Sequence, residues 1–432
     1  MNLSPQPRYR LYTTAASYAA FLRDPKAGDD VARLEAAMTE RLGVAHALAA
    51  PRARVGIYLA LKALIRPGQE VILSPYTIAD VVNMVLAAGG IPRFADIERE
   101  TCNIAAAEVA RLLGPATGAV LVTHLHGLAC PIEEIAAMCS ERGVPLVEDC
   151  AQAFGTRVGG RSVGTFGDAG VFSFGMYKNV NTFFGGMIVT PRADLRDRMA
   201  RESSTWPLEQ RRTLVNRAWQ SLTRDVSTTP GLFQSLVYPI FRYGFLNDVR
   251  AINKRVEIEL DLARHDTMPE HYHRRMTPGQ ARLALRQLDG VDAASTTRIA
   301  YAKVYHRGLA GLPGLVIPPL REDGSHIYTY FPVQWDDRKQ LLRWAMRHHR
   351  DFAAQHYKNC ADLDSFAAFH SDCPNARAVA TSLIMLPTYP RYGLAEVERN
   401  VEVIRAFFEG RDGAPRLERA AHRRPAEVGS SR

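Results

Sequence analysis

Two periods of apolar and polar positions alternate along residues 31–190. Apolar side chains recur every three or four residues over 30–41, 55–64, 79–88, 106–113 and 132–142, which predicts amphipathic helices. Between them lie the apolar runs 70–74, 91–94, 119–123 and 145–148, too short for helices and set off by breakers such as Pro67-Gly68, so they predict strands. A further apolar run, 171–174, follows a stretch punctuated by Gly155, Gly159, Gly160, Gly164, Gly167 and Gly170, which returns the chain to the sheet. Apolar strands alternating with helices predict an α/β fold: a large domain with a mostly parallel, seven-stranded-type sheet covered by helices on both faces. Ligands of such sheets sit beyond the carboxyl ends of the strands.

The pattern changes after residue 190. Arginine-rich helical stretches at 192–201 and 210–224 flank an aromatic patch at 232–246, in which Pro239 and Gly244 count against one continuous amphipathic helix. The plain reading of the patch is a packed helix pair under the rim of an active site; the sharper one is a peripheral contact with a membrane or a lipid-linked substrate. Helices over 278–288, 298–309 and 396–408, with a strand over 327–333, predict a smaller α/β domain. The expected division is an arm at 1–29, a large domain at 30–265 with a divergent helical segment at 191–265, a small domain at 266–410, and a disordered basic tail at 411–432.

With 47% apolar and 23% charged residues, the composition is that of a globular protein. The net charge of +9 is diffuse or gathered in the tail, and no nucleic-acid-binding module focuses it, so a nucleic-acid partner is not expected. Diffuse positive charge suits phosphorylated or nucleotide-linked substrates. The cysteines at 102, 130, 139, 150, 360 and 373 form no CxxC pair and no metal-ligand spacing, so no metal is expected and a reduced, cytoplasmic setting is. Neither a signal peptide nor a transmembrane segment is expected.

Asp149 ends one apolar run, and Lys178 stands just past another. Pyridoxal 5'-phosphate chemistry needs this pair: a lysine amine to condense with the cofactor aldehyde and a carboxylate to keep the pyridine nitrogen protonated. The residues around Lys178 are uncharged, which suits a buried amine of lowered pKa. Ser173 is placed to offer a hydroxyl to the cofactor phosphate, and Gln152 to reach the ring or its phenolic oxygen. The start of the helix at Arg52-Ala53-Arg54 offers backbone N–H groups to the phosphate, with Arg52 or Arg54 as a further ligand.

The order of these segments resembles the DegT/DnrJ/StrS family of sugar aminotransferases, fold-type I pyridoxal phosphate enzymes. The matching stretches are GQEVILSPYT, GGIPRFADIERETCNI, VTHLHG, VPLVEDCAQAFG, GDAGVFSFGMYKNV, GGMIVT, RRMTPGQARLALRQL and IMLPTYPRYG, and they span most of residues 30–408. The resemblance implies that Lys178 is the catalytic lysine, with Asp149, Gln152 and Ser173 as cofactor ligands. It also implies amino transfer from a donor, commonly glutamate, to a nucleotide-linked keto-sugar in polysaccharide, glycolipid or secondary-metabolite synthesis, and a homodimer. The retained Lys178 argues against the dehydratases of the family, which carry histidine there. A non-sugar substrate and a non-catalytic scaffold or regulator are the competing readings. Three positions depart from the family pattern: Arg52-Ala53-Arg54 replaces Ser-Gly-Thr-like residues, Ile78 stands where an aromatic residue covers the ring, and His273 stands where an asparagine from the partner subunit reaches the phosphate.

Overall fold

The computed structural model describes residues 4–23, 28–253, 262–354 and 357–410. The expected disordered tail, 411–432, lies outside them. Seven strands form the main sheet: β1 (His46–Ala50), β2 (Glu70–Leu73), β3 (Ile91–Phe94), β4 (Thr117–Thr123), β5 (Leu146–Asp149), β6 (Ala169–Ser173) and β7 (Gly186–Thr190). Their order is β1-β7-β6-β5-β4-β2-β3. The pairs from β6 to β3 are parallel, whereas β7 runs antiparallel to both β6 and β1. All seven residues of β4 are buried, as a strand covered on both faces requires.

Helices α2 (Asp30–Leu42), α3 (Ala53–Leu64), α4 (Ala79–Ala87), α5 (Ala106–Leu112) and α6 (Ile132–Arg142) form close to where their periodicity places them. Gly43 and Gly143 end α2 and α6 in the left-handed conformation, which costs a residue without Cβ little. The alternation does not reveal β1, which joins the sheet only through β7. An additional helix, α1 (Ala15–Leu22), lies within the arm; Thr14 caps it by accepting a hydrogen bond from the Ser17 N–H.

After α7 (Ala193–Ser203) and α8 (Arg211–Ser227) the chain is helical throughout 230–246, so Pro239 and Gly244 do not interrupt the patch. A π-helical turn, Phe233–Val237, precedes Pro239 and accommodates a ring that cannot donate to the preceding turn. At Gly244 a Cβ would lie 2.5 Å from Ile252, so glycine allows the next helix to approach. The expected strand 327–333 is shortened to β8 (Phe331–Gln334), because Tyr328 takes a φ of 50° and Ile327 bonds instead to the Gly127 carbonyl.

β8 pairs with β10 (Leu383–Leu386), which also pairs with β9 (Ala353–Ala354). This small sheet is packed by α11 (Val291–Leu309), α12 (Arg338–Arg347) and α14 (Leu394–Phe408), through Tyr305, Trp344, Ile404 and Phe407. Helix α10 (Pro278–Leu285) instead joins α2 and the large sheet through Ala281 and Ala284. We therefore propose that the second unit begins near α11, later than residue 266.

Candidate active site

β5 and β6 are adjacent and parallel, so Asp149 and the turn after Ser173 emerge at the same edge of the sheet. The Asp149 side chain is buried, and its Oδ1 accepts the Ala151 N–H at 3.0 Å. Burial raises its carboxyl above the usual range, while the Ala151 N–H and the nearby Lys178 act in the opposite sense. Lys178 sits in a turn whose N–H bonds the Gly175 carbonyl at 3.2 Å. Burial brings its amine down to about 8; Asp149 opposes that shift and Arg54 adds to it. The lysine and carboxylate therefore act on each other within one desolvated site. Ser173 Oγ accepts the Gly175 N–H at 3.3 Å and so shapes the turn that carries the lysine.

Gln152 is already engaged at both ends of its amide: Oε1 accepts the His126 N–H at 2.8 Å and Nε2 donates to the Tyr357 hydroxyl at 2.7 Å. This gives it a bracing role that its spacing from Asp149 does not show. His126, Tyr330 and Tyr357 complete the surroundings. The His126 ring is fully buried, neither nitrogen has a partner among the described residues, and burial together with Lys178 pushes it down to about 3. It is therefore a neutral, unsatisfied imidazole beside the lysine. The HLHG motif contained the signal for it, a histidine just past the end of β4.

Glu148, next to Asp149, points the other way. It accepts N–H groups from Gly164 at 2.7 Å, Phe166 at 2.7 Å and Gly167 at 2.8 Å, and lies 3.2 Å from His124 Nε2. His124, Glu148 and Cys150 come together in the core, but His124 Nδ1 already accepts the Cys130 N–H, and the carboxylate braces the glycine-rich return into β6.

The start of α3 faces the same region. No side chain caps it, and a Cβ at Gly186 would stand 2.7 Å from the Ala53 nitrogen, so glycine in β7 lets the strand pass beneath the helix terminus. Arg52 Nη1 is buried without a hydrogen-bond partner, 3.8 Å from Glu209. Arg54 pairs closely with Asp80 and donates to the Tyr272 hydroxyl at 3.0 Å. Both guanidiniums lie over the Tyr272 ring. His273, by contrast, packs edge-on against Trp206, so within this chain Tyr272 is the residue of its segment that meets α3. Ile78 is the residue before α4 and packs partly buried against the core.

These features fit pyridoxal phosphate: an amine of lowered pKa, a buried carboxylate that acts on it, an uncapped helix start beside a guanidinium with one unbonded nitrogen, and an unsatisfied imidazole beside the lysine.

The comparisons agree with this chemistry. A family model, the DegT/DnrJ/EryC1/StrS aminotransferase family, matches residues 21–215 and 260–405. A spore coat polysaccharide biosynthesis protein of Bacillus subtilis is 27% identical over 89% of this chain and 91% of its own length. The UDP-N-acetyl-3-dehydro-alpha-D-glucosamine 3-aminotransferase of Acidithiobacillus ferrooxidans is 28% identical over 89% and 90%. An aminotransferase structure from Psychrobacter cryohalolentis shares the fold with a TM-score of 0.72 at 22% identity, covering 94% of this chain and 99% of that one. The internal stretch between the two matched segments, 216–259, holds most of α8 and the helical run 230–246. With Lys178 and Asp149 set at the carboxyl edge of its sheet, the chain belongs to the DegT/DnrJ/EryC1/StrS aminotransferase family.

Proposed function

We propose that this protein transfers an amino group from glutamate to a nucleotide-linked keto-sugar, using pyridoxal 5'-phosphate held between Lys178 and Asp149. The observation that carries the reading is the buried lysine of lowered pKa sharing a desolvated site with Asp149. The names of the relatives, among them an aminotransferase acting on a UDP-sugar, support the substrate class. The bound cofactor supplies an aldehyde that takes up the amino group and a ring that draws electrons from the carbon losing a proton. Lys178 Nζ would hold the cofactor through its aldehyde and, when free, would take a proton as base and return it as acid. Asp149 would keep the pyridine nitrogen protonated. Backbone N–H groups at Ala53 and Arg54, with Arg52, Arg54 and Ser173, would receive the phosphate; Ile78 would pack against the ring, and His273 would face the partner subunit.

Adding glutamate to the purified protein should remove its violet absorption and release 2-oxoglutarate, and a keto-sugar nucleotide should restore the absorption. A cofactor-loaded protein that glutamate leaves unchanged would overturn this reading.

We further propose a cytoplasmic homodimer. Among the described residues no helix is long and apolar enough to cross a membrane. The exposed row Leu232, Leu236, Ile240 and Tyr243, spaced as one helical face, supports a peripheral membrane contact at 232–246. Sedimentation should give twice the chain mass; a fully active monomer rules the dimer out.

A further inference from the structure

We propose that the cleft between the amino-terminal arm, α8 and the loop carrying Arg391 is the subsite for a diphosphate group on the substrate. The cleft is shallow and open to solvent, with a volume of about 280 Å³, and is lined by Arg10, Tyr12, Thr13, Asp225, Val226 and Arg391. Both arginines lie over the Tyr12 ring, Arg10 at 4.4 Å and Arg391 at 4.7 Å from its centroid. Among the described residues neither has a carboxylate partner. The acid in the wall is already engaged: Asp225 Oδ1 accepts the Thr13 N–H at 3.3 Å, and Oδ2 accepts the Tyr18 hydroxyl at 2.8 Å. Tyr12 holds its ring between the guanidiniums from a left-handed backbone, φ 58°, a conformation uncommon for a side chain of that size. Two planar forks with free donors, beside a carboxylate that is already occupied, suit a diphosphate, whose oxygens accept bidentate bonds.

The cleft also lies at the right place. Tyr9, adjacent to Arg10, packs 5.0 Å from Tyr177, adjacent to Lys178. Arg224, on α8 one residue before Asp225, lies close enough to Tyr177 to act on its hydroxyl electrostatically. The arm and α8, two walls of the cleft, thus both reach Tyr177, the residue before Lys178. From Val226 at the rim, an exposed apolar row, Leu222, Trp219 and Val215, continues along α8. Such a row suits either a nucleoside or an isoprenoid chain on the far side of the diphosphate.

The inference rests on the proposed sugar-aminotransferase reading, and the test separates the two. Holoenzyme is titrated calorimetrically with inorganic pyrophosphate, UDP, GDP, dTDP and farnesyl diphosphate, in the wild type and in Arg10→Gln, Arg391→Gln, Arg391→Lys and the double glutamine variant. Violet absorption of the bound cofactor checks that each variant is folded and loaded. The wild type should bind at least one diphosphate. Each glutamine should weaken it roughly 10-fold, both on the order of 100-fold, with lysine in between because it keeps the charge but loses the fork. Preference for a nucleoside diphosphate assigns a nucleotide-linked substrate; preference for farnesyl diphosphate assigns a lipid-linked one. No diphosphate binding by the wild type, or undiminished binding by the double variant, overturns the subsite. Failure of glutamate to convert the wild-type cofactor overturns the proposed function while the calorimetry still decides the subsite.

Discussion

Lys178→Ala is expected to remove the violet absorption of the purified protein and to lower amino transfer by at least about 10⁴-fold, because in the proposed reaction the residue would both hold the cofactor and carry the proton. Lys178→Arg, which keeps a cation in the turn but cannot condense, should be equally inactive, so the loss belongs to the chemistry and not to the charge. The wild-type amine also predicts a pH dependence. Only the neutral amine attacks the aldehyde, and burial brings Lys178 to about 8. Capture of added cofactor by the cofactor-free protein should therefore accelerate up to about pH 8 and then level off, instead of climbing toward the 10.5 of an ordinary lysine. Stopped-flow absorbance at a series of pH values measures this directly, and a rate still rising between pH 9 and 10 would show the amine to be solvated.

The second large effect is expected at Asp149. Asp149→Asn keeps the size of the side chain and removes the charge that, in the proposed reaction, would keep the pyridine nitrogen protonated, so turnover should fall roughly 10²–10³-fold, the magnitude seen when one preorganised electrostatic partner is lost. Stability should move the other way. Burial raises the Asp149 carboxyl above its ordinary value. A carboxyl raised in the folded state contributes stability that is lost as pH rises through its folded pKa. Wherever the group is ionised it thus burdens the cofactor-free fold, and the uncharged asparagine variant should melt no lower than the wild type, with the gap widening as pH rises. Loss of turnover accompanied by a lower melting temperature of the cofactor-free protein would mean that Asp149 serves the fold and not the cofactor.

The neighbouring carboxylates show where sequence reasoning stops. Glu148 and Asp149 are both buried acids at the end of one strand, and successive side chains of a strand point to opposite sides. Its place as the last residue of β5 marks Asp149 for chemistry. That Glu148 holds three backbone N–H groups of the glycine-rich return depends on where residues 164–167 come back, which no local pattern states. The same distinction applies at α3. Its helical period is local, but Tyr272, more than two hundred residues later, supplies the ring beneath Arg52 and Arg54. Around 232–246, Pro239 and Gly244 argue locally for a break, yet a π turn and a close helix contact absorb both. At 327–330, the left-handed Tyr328 and a bond to Gly127 override strand propensity.

By itself, the sequence determined the alternation of helices and parallel strands, the carboxyl-edge placement of Asp149, and the lysine that makes the pair meaningful. Those depend on side-chain period and on chain order, both carried by neighbours along the chain. Tertiary structure alone decided the roles that need distant segments to meet: the antiparallel β1–β7 edge, the unsatisfied His126 beside Lys178, the Gln152 brace to Tyr357, and the paired arginines over Tyr12. Burial and electrostatic fields are properties of surroundings, and for these residues the surroundings are assembled only by folding.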